Sequence, residues 1–149
     1  MNQDLKKKNS AIEAFNLIKS KLHKDSVLGI GTGSTTNFFI EELNASNFNI
    51  KGVVCSSKAS ASLIKNTYDV LSLNDVHSLD FYIDGADEYN DRKELIKGGG
   101  GALTREKILA NSSESFICIV DETKHTDLLG REFPLAIEVI EIARSAVSR

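Results

Sequence analysis

Ala11, Ile12, Phe15, Ile18 and Leu22 recur at the spacing of one helix face, which predicts an amphipathic first helix. Val27–Ile30 is a short continuous apolar run, a strand that leads straight into Gly31-Thr32-Gly33-Ser34-Thr35-Thr36. Phe38, Phe39, Ile40 and Leu43 then predict a second helix, with Ser34 or Thr35 available to cap it. After the polar stretch Asn44–Asn49, Ile50–Cys55 reads as a strand and Ser57–Asn66 as a helix that opens on hydroxyl residues. Tyr68–Leu71 is a weaker strand, and Leu79–Ile83 a stronger one that runs into Asp84-Gly85-Ala86-Asp87-Glu88. A turn at Asn90-Asp91 and a short Leu95-Ile96 run precede four consecutive glycines, Gly98–Gly101, and a further helix. Phe116–Val120 is the next strand, followed by Asp121-Glu122-Thr123-Lys124.

Strands separated by helices in this way predict an α/β fold: a doubly wound, mainly parallel, Rossmann-like sheet. Ligands of such sheets bind outside the carboxyl ends of the strands. Thr32–Thr35, Asp84–Asp87 and Asp121–Lys124 each follow a predicted strand at that end, so they are expected to share one site. Leu135–Ile140 reads as another strand, and Ile142, Ala143, Ala146 and Val147 start an amphipathic helix without a glycine cap. The predicted division is an α/β substrate-binding and catalytic domain over 1–130. Residues 131–149 are then the start of a smaller, truncated α+β subdomain.

At 149 residues and 41% hydrophobic, the chain has one domain's worth of core. A net charge of −3 argues against nucleic acid as a partner, and Lys6–Lys8 reads as the solvated start of the first helix. Cys55 and Cys118 lie in apolar runs, which predicts buried free thiols in a reducing, cytoplasmic setting. No stretch has the length of a membrane span or the pattern of a signal peptide.

The chemistry concentrates in Lys97–Lys107. Glycines without a Cβ let the backbone turn tightly and approach a ligand, and the N–H groups of the following helix point toward that loop. A flexible linker before an ordinary helix would use the same glycines. Glu106 favours the ligand loop, against the plainer reading of Arg105-Glu106-Lys107 as a charge run on a solvated face, with Ile108 pointing away from the stripe. At about 100° per residue, Ala102, Leu103, Leu109 and Ala110 fall near it on the helix circumference, while Arg105 and Lys107 flank it. A carboxylate inside an apolar stripe, beside N–H donors and Lys97, is an arrangement for a general base facing an oxyanion hole.

Gly31-Thr32-Gly33-Ser34-Thr35 after a strand invites a dinucleotide reading, but Thr36 stands where a third glycine belongs and Cys55-Ser56-Ser57-Lys58 offers no acid for a ribose. Backbone N–H groups with the Ser34 and Thr35 hydroxyls suit a compact phosphate monoester better. Asp84 and Asp87 surround a glycine as metal ligands often do. Yet His23, His77 and His125 do not cluster with them in sequence, so hydrogen bonds to sugar hydroxyls are the better use, with no metal.

In this order, Gly31–Thr35, Asp84–Glu88 and Lys97–Lys107 closely resemble ribose-5-phosphate isomerase of type A, as do Phe116–Ile119 before Asp121 and the closing Ala143–Val147. The resemblance implies cofactor-free interconversion of ribose 5-phosphate and ribulose 5-phosphate in the non-oxidative pentose phosphate pathway, by a cytoplasmic homodimer or tetramer. The family's base corresponds to Glu106, with Asp84 and Lys97 as further catalytic residues. Its substrate loops correspond to Thr32, Gly33, Ser34 and Thr35, to Asp84, Gly85, Ala86 and Asp87, and to Lys97, Gly98, Gly99 and Gly100. Its later lysine corresponds to Lys124. Asp84 is then expected to open the furanose and Asp87 to orient hydroxyls. Gly101 stands where the family often has alanine, and members of the family continue past residue 149. Phosphosugar-sensing domains of transcription regulators resemble the same fold, but such a sensor needs no base and usually carries a DNA-binding helix-turn-helix.

Overall fold

The computed structural model describes residues 2–149. Four strands form a parallel sheet: β1 (Val27–Ile30), β2 (Gly52–Cys55), β3 (Leu79–Asp84) and β6 (Ser113–Cys118), in the order β2-β1-β3-β6. The helices are α1 (Gln3–Lys19), α2 (Ser34–Ser46), α3 (Lys58–Ile64), α4 (Thr104–Asn111) and α5 (Arg144–Val147). A small antiparallel hairpin, β4 (Glu88–Tyr89) with β5 (Leu95–Ile96), leaves the end of β3.

Period-2 alternation divides the sheet between two cores. Leu28, Ile30, Val53 and Ile83 face α1 and α2, packing against Ala11, Ala14, Ile18, Phe39, Ile40 and Leu43. Val27, Val54 and Tyr82 face the other way, joined by Leu79 at the start of β3, and Leu109 of α4 packs with them. Because β2 lies outside β1 and β3 returns on its far side, the chain reverses direction across the sheet between β1 and β3. That reversal opens a crevice at their carboxyl ends.

The parallel α/β expectation holds, with local corrections. The first helix ends at Lys19, so Leu22 packs on the core from the loop beyond it. Tyr68–Leu71 contributes only a single bridge, Val53 to Val70, rather than a strand. The last sheet strand starts at Ser113 rather than Phe116, because its pairing with β3 extends back through the polar residues Ser113, Glu114 and Ser115. Leu135–Ile140 pairs with no strand among the described residues, and Leu135 and Ile137 are 67% and 69% exposed. Cys55 and Cys118 are free but half-buried, and burial pushes each thiol up to about 11. No helix among the described residues is long and apolar enough to cross a membrane.

Candidate active site

The turn after β1 is held from both sides. Gly31 N–H donates to the Ile83 carbonyl at 2.8 Å, and the Ser60 hydroxyl donates to the Gly31 carbonyl at 2.6 Å. Thr32 shares a hydroxyl–hydroxyl hydrogen bond of 2.9 Å with Ser57, the N-cap of α3. The expected Ser34 or Thr35 cap is absent. Ser34 is already the first helical residue, and the N-cap is Gly33 at φ 123°, which offers no side-chain acceptor. The first N–H groups of α2 therefore stay open toward the crevice, as an anion site requires. Thr36, fully buried at this helix start, carries an Oγ1 with no hydrogen-bond partner.

Asp84 closes β3 and is 0% exposed. Its Oδ1 accepts the N–H groups of Gly85 at 2.8 Å and Thr32 at 3.2 Å. Its Oδ2 accepts the Tyr82 hydroxyl at 2.5 Å and the Lys97 ammonium at 2.8 Å. A carboxylate has about four acceptor positions, and protein donors fill them all. Lys97 also donates to the Gly85 carbonyl at 2.6 Å, which leaves one of its three N–H donors free.

The glycine loop is pinned beside this pair. Asp87 Oδ2 accepts the Gly99 N–H at 2.9 Å, and Gly98 has φ 135°. A Cβ on Gly98 would lie 2.5 Å from the Ala136 Cβ, so that position needs glycine for both conformation and space. Ala102 and Leu103 precede the helix that was expected to include them; α4 begins at Thr104. Glu106 nevertheless points inward and is 4% exposed, whereas Ile108 faces solvent. Among the described residues the Glu106 carboxylate accepts no hydrogen bond. Two buried carboxylates thus stand in one site with opposite surroundings, Asp84 saturated and Glu106 unengaged.

Three cavities meet around the loop. A polar one of about 240 Å³ is lined by Thr32, Gly33, Ser34, Thr35, Gly85, Ala86, Asp87, Lys97, Gly98, Gly99 and Lys124. Gly100 lies across the loop, where it lines a second cavity of about 490 Å³ with Thr32, Ser57 and Glu106. Lys97 and Glu106 together border a third, apolar cavity of about 690 Å³. Asp84 lines none of them and sits beneath the floor.

Several residues were missed in the sequence. Gln3, Lys7 and Thr36 line the polar cavity. Lys7 had a legible signal, because it lies four residues before Ala11 and so extends the stripe Ala11, Ala14, Ile18 that α1 buries. Lys124 reaches the same cavity from a 3-10 turn, Glu122–Lys124, capped by Asp121, whose Oδ1 accepts the Thr123 N–H at 2.9 Å. Lys6 ties that turn to α1 by an ion pair with Glu122, and its donor holds the Glu122 carboxyl below the usual range. Glu88, just past the aspartates, accepts the backbone N–H groups of Gly130, Phe133 and Glu132. The Gly130 N–H above all holds its carboxyl low. Among the described residues, no group of three or more His, Cys, Asp or Glu is placed to hold a metal ion.

Comparison with known proteins identifies the family and the fold. The family model for ribose 5-phosphate isomerase A (phosphoriboisomerase A) matches residues 51–149. The chain is 53% identical over 150 residues to ribose-5-phosphate isomerase A of Mannheimia succiniciproducens, covering 100% of this chain and 67% of that protein. The crystal structure of ribose 5 phosphate isomerase A from Neisseria gonorrhoeae superposes with a TM-score of 0.91 at 49% identity, over 99% of this chain and 65% of that one. A D-ribose-5-phosphate isomerase solved in complex with phospho-erythronic acid superposes at 0.88 with 38% identity, over 99% of this chain and 65% of that one. The chain therefore spans about two thirds of the length of these relatives.

Proposed function

The chain belongs to the ribose 5-phosphate isomerase A family, and we propose that it interconverts D-ribose 5-phosphate and D-ribulose 5-phosphate by proton transfer through a cis-enediolate. The observation that carries this reading is the pair of buried carboxylates, one clamped by four donors and the other unengaged. Environment divides their roles. Glu106 takes the proton from C2 of the open aldose and returns it to C1. The free N–H of Lys97 and the glycine-loop N–H groups hold the oxyanion that forms meanwhile. Asp87 keeps the loop in place and orients sugar hydroxyls. Ring opening, assigned to Asp84, has to work with Lys97 as the group in contact, because each Asp84 acceptor position already faces a protein donor.

The phosphate belongs in the polar cavity, at the open N–H groups of α2, with Ser34, Thr35, Lys7 and Lys124 around it. Phospho-erythronic acid, which joins a phosphate to a hydroxylated carboxylic acid and with which a relative was solved, is expected to bind here. Because the phosphate stays far from the reacting carbons, its binding energy serves positioning. Lys7→Ala is accordingly expected to raise KM roughly tenfold, as the loss of one charge-assisted hydrogen bond does. kcat should stay within about twofold, since ground and transition states lose that contact equally. A KM equal to that of the parent chain would remove Lys7 from the phosphate site.

A coupled assay for ribulose 5-phosphate, repeated in D2O, tests the reaction. Solvent deuterium at C1 of the product marks base-mediated transfer in which Glu106 exchanges its proton before returning it, whereas a hydride shift from C2 to C1 brings none. No turnover would refute the activity, and turnover without exchange that persists in Glu106→Gln would refute the enediolate. No metal or other cofactor is needed in this scheme: Lys97 supplies the positive charge and Asp84 has no acceptor position left for a cation. Dialysis against a chelator should leave the rate unchanged; a loss restored by a divalent ion would make the aspartates metal ligands. The reading places the protein in the non-oxidative pentose phosphate pathway of the cytoplasm, as a homodimer or tetramer. Sedimentation analysis checks the assembly.

A further inference from the structure

Tyr82 has no part in the scheme above, yet its hydroxyl stands at the centre of it. Two residues before Asp84 on β3, it shares that residue's face of the sheet. The ring is fully buried and stacks on Phe116, with centroids 5.3 Å apart and planes at 26°. Its hydroxyl donates to the same Asp84 oxygen that holds Lys97. Burial, with the Asp84 and Glu106 charges beside it, pushes the phenol far above its ordinary range, so it keeps its proton at any working pH. The charged or titratable groups that face it are Asp84 on its own strand, Lys97 from the loop before the glycines and Glu106 from α4. The Ser56 hydroxyl after β2 also lies near it, and Phe116 of β6 is neutral.

Resting on the isomerase reading, we propose that Tyr82 is a positioning residue of the isomerisation, whose hydroxyl locks the Asp84–Lys97 pair and commits its own proton away from the base. A carboxylate oxygen with one donor would draw the ammonium fully onto itself. With the phenol as second donor, Lys97 is shared between Asp84 and Gly85 and keeps an N–H for the substrate oxyanion. The same bond aims the phenol hydrogen at Asp84, so it cannot occupy Glu106. One hydroxyl therefore keeps both working groups available on the shared cavity.

Tyr82→Phe removes that oxygen and retains the ring on Phe116. It is expected to lower kcat about tenfold, the scale of one hydrogen bond to a charged group, with KM within about twofold. Phospho-erythronic acid, an anion with a carboxylate for Lys97 to meet, should bind about tenfold more weakly in a titration without turnover. Inorganic phosphate should bind as in the parent chain. Phe116→Leu, which disturbs the stack but leaves the hydroxyl, should lower the melting temperature without weakening the phospho-erythronic acid probe.

Parental kcat and probe affinity in Tyr82→Phe would overturn the inference. So would an equal loss of phosphate and probe binding, or the same loss of kcat and probe affinity in Phe116→Leu, since each marks a role in packing alone. A parent chain that does not turn over ribose 5-phosphate refutes the isomerase reading instead. The probe titration still decides the place of Tyr82 in that event.

Discussion

Glu106→Gln is expected to abolish turnover while leaving the fold and substrate affinity close to those of the parent chain. The amide has the size of the carboxylate and no basic lone pair. A positioned base typically contributes roughly 10²–10⁴-fold, so the variant's kcat should fall by that range. Most buried carboxylates would make such a substitution hard to interpret, because an amide disturbs the hydrogen bonds the carboxylate accepted. Glu106 accepts none among the described residues, so the exchange breaks no existing contact. It also removes a buried charge, which favours the folded state. Retained stability with lost activity is therefore the specific signature. It is read from a thermal melt, a phospho-erythronic acid titration and the coupled assay on one preparation. Turnover within about twofold of the parent, against the contribution expected of a base, would show that another group removes the C2 proton.

The parts of this site legible in the sequence were those that chemistry writes locally. A strand ending in Asp84-Gly85-Ala86-Asp87, a glycine run after Lys97 and a carboxylate in an apolar stripe each declare themselves within a dozen residues. β1 and β3 were legible for the same reason, since strands buried on both faces read as apolar runs. What escaped was whatever depends on distant parts of the chain meeting. Lys7 enters the phosphate cavity only because α1 packs along α2, and in sequence it is one lysine among three. Tyr82 is one aromatic within the strand run Leu79–Ile83, and its hydroxyl acquires meaning only from Asp84, Lys97 and Glu106. Edge positions failed for a different reason. β6 opens on three polar residues, Ser113, Glu114 and Ser115, which hid its start, and Leu135–Ile140 alternates like a strand with no neighbour to pair with among the described residues. Alternation shows that one face is apolar, and hydrogen-bonded partners make the strand.

Gly31→Ala should produce the largest loss of stability of any single methyl group added to this site. Nothing in the backbone angles of Gly31 demands glycine. The demand is spatial, because a Cβ there would penetrate the Asp84 carboxyl group. A flexible side chain would swing aside. Asp84 cannot, since Thr32, Gly85, Tyr82 and Lys97 hold its two oxygens from four directions. Either the β1 turn moves away from β3, breaking the Gly31–Ile83 hydrogen bond, or the carboxylate leaves its clamp and strands a buried ammonium. Overpacking costs about 1–3 kcal/mol and breaking a buried ion pair about 3–5 kcal/mol. The two ranges meet at about 3 kcal/mol, which at about 2–4 °C per kcal/mol for a chain of this size lowers the melting temperature by roughly 6–12 °C. Turnover should fall with it by two orders of magnitude or more, on the scale of about 1.4 kcal/mol per tenfold, because Lys97 loses its anchor. Gly85→Ala is the matched control: its Cβ would meet only the Ile119 carbonyl oxygen, at 3.5 Å, and the melting temperature should hold. A Gly31→Ala protein that melts within about 2 °C of the parent, less than 1 kcal/mol on the same scale, and turns over normally would show that Asp84 has room to move. The four-donor clamp would then not be what sets the geometry of the site.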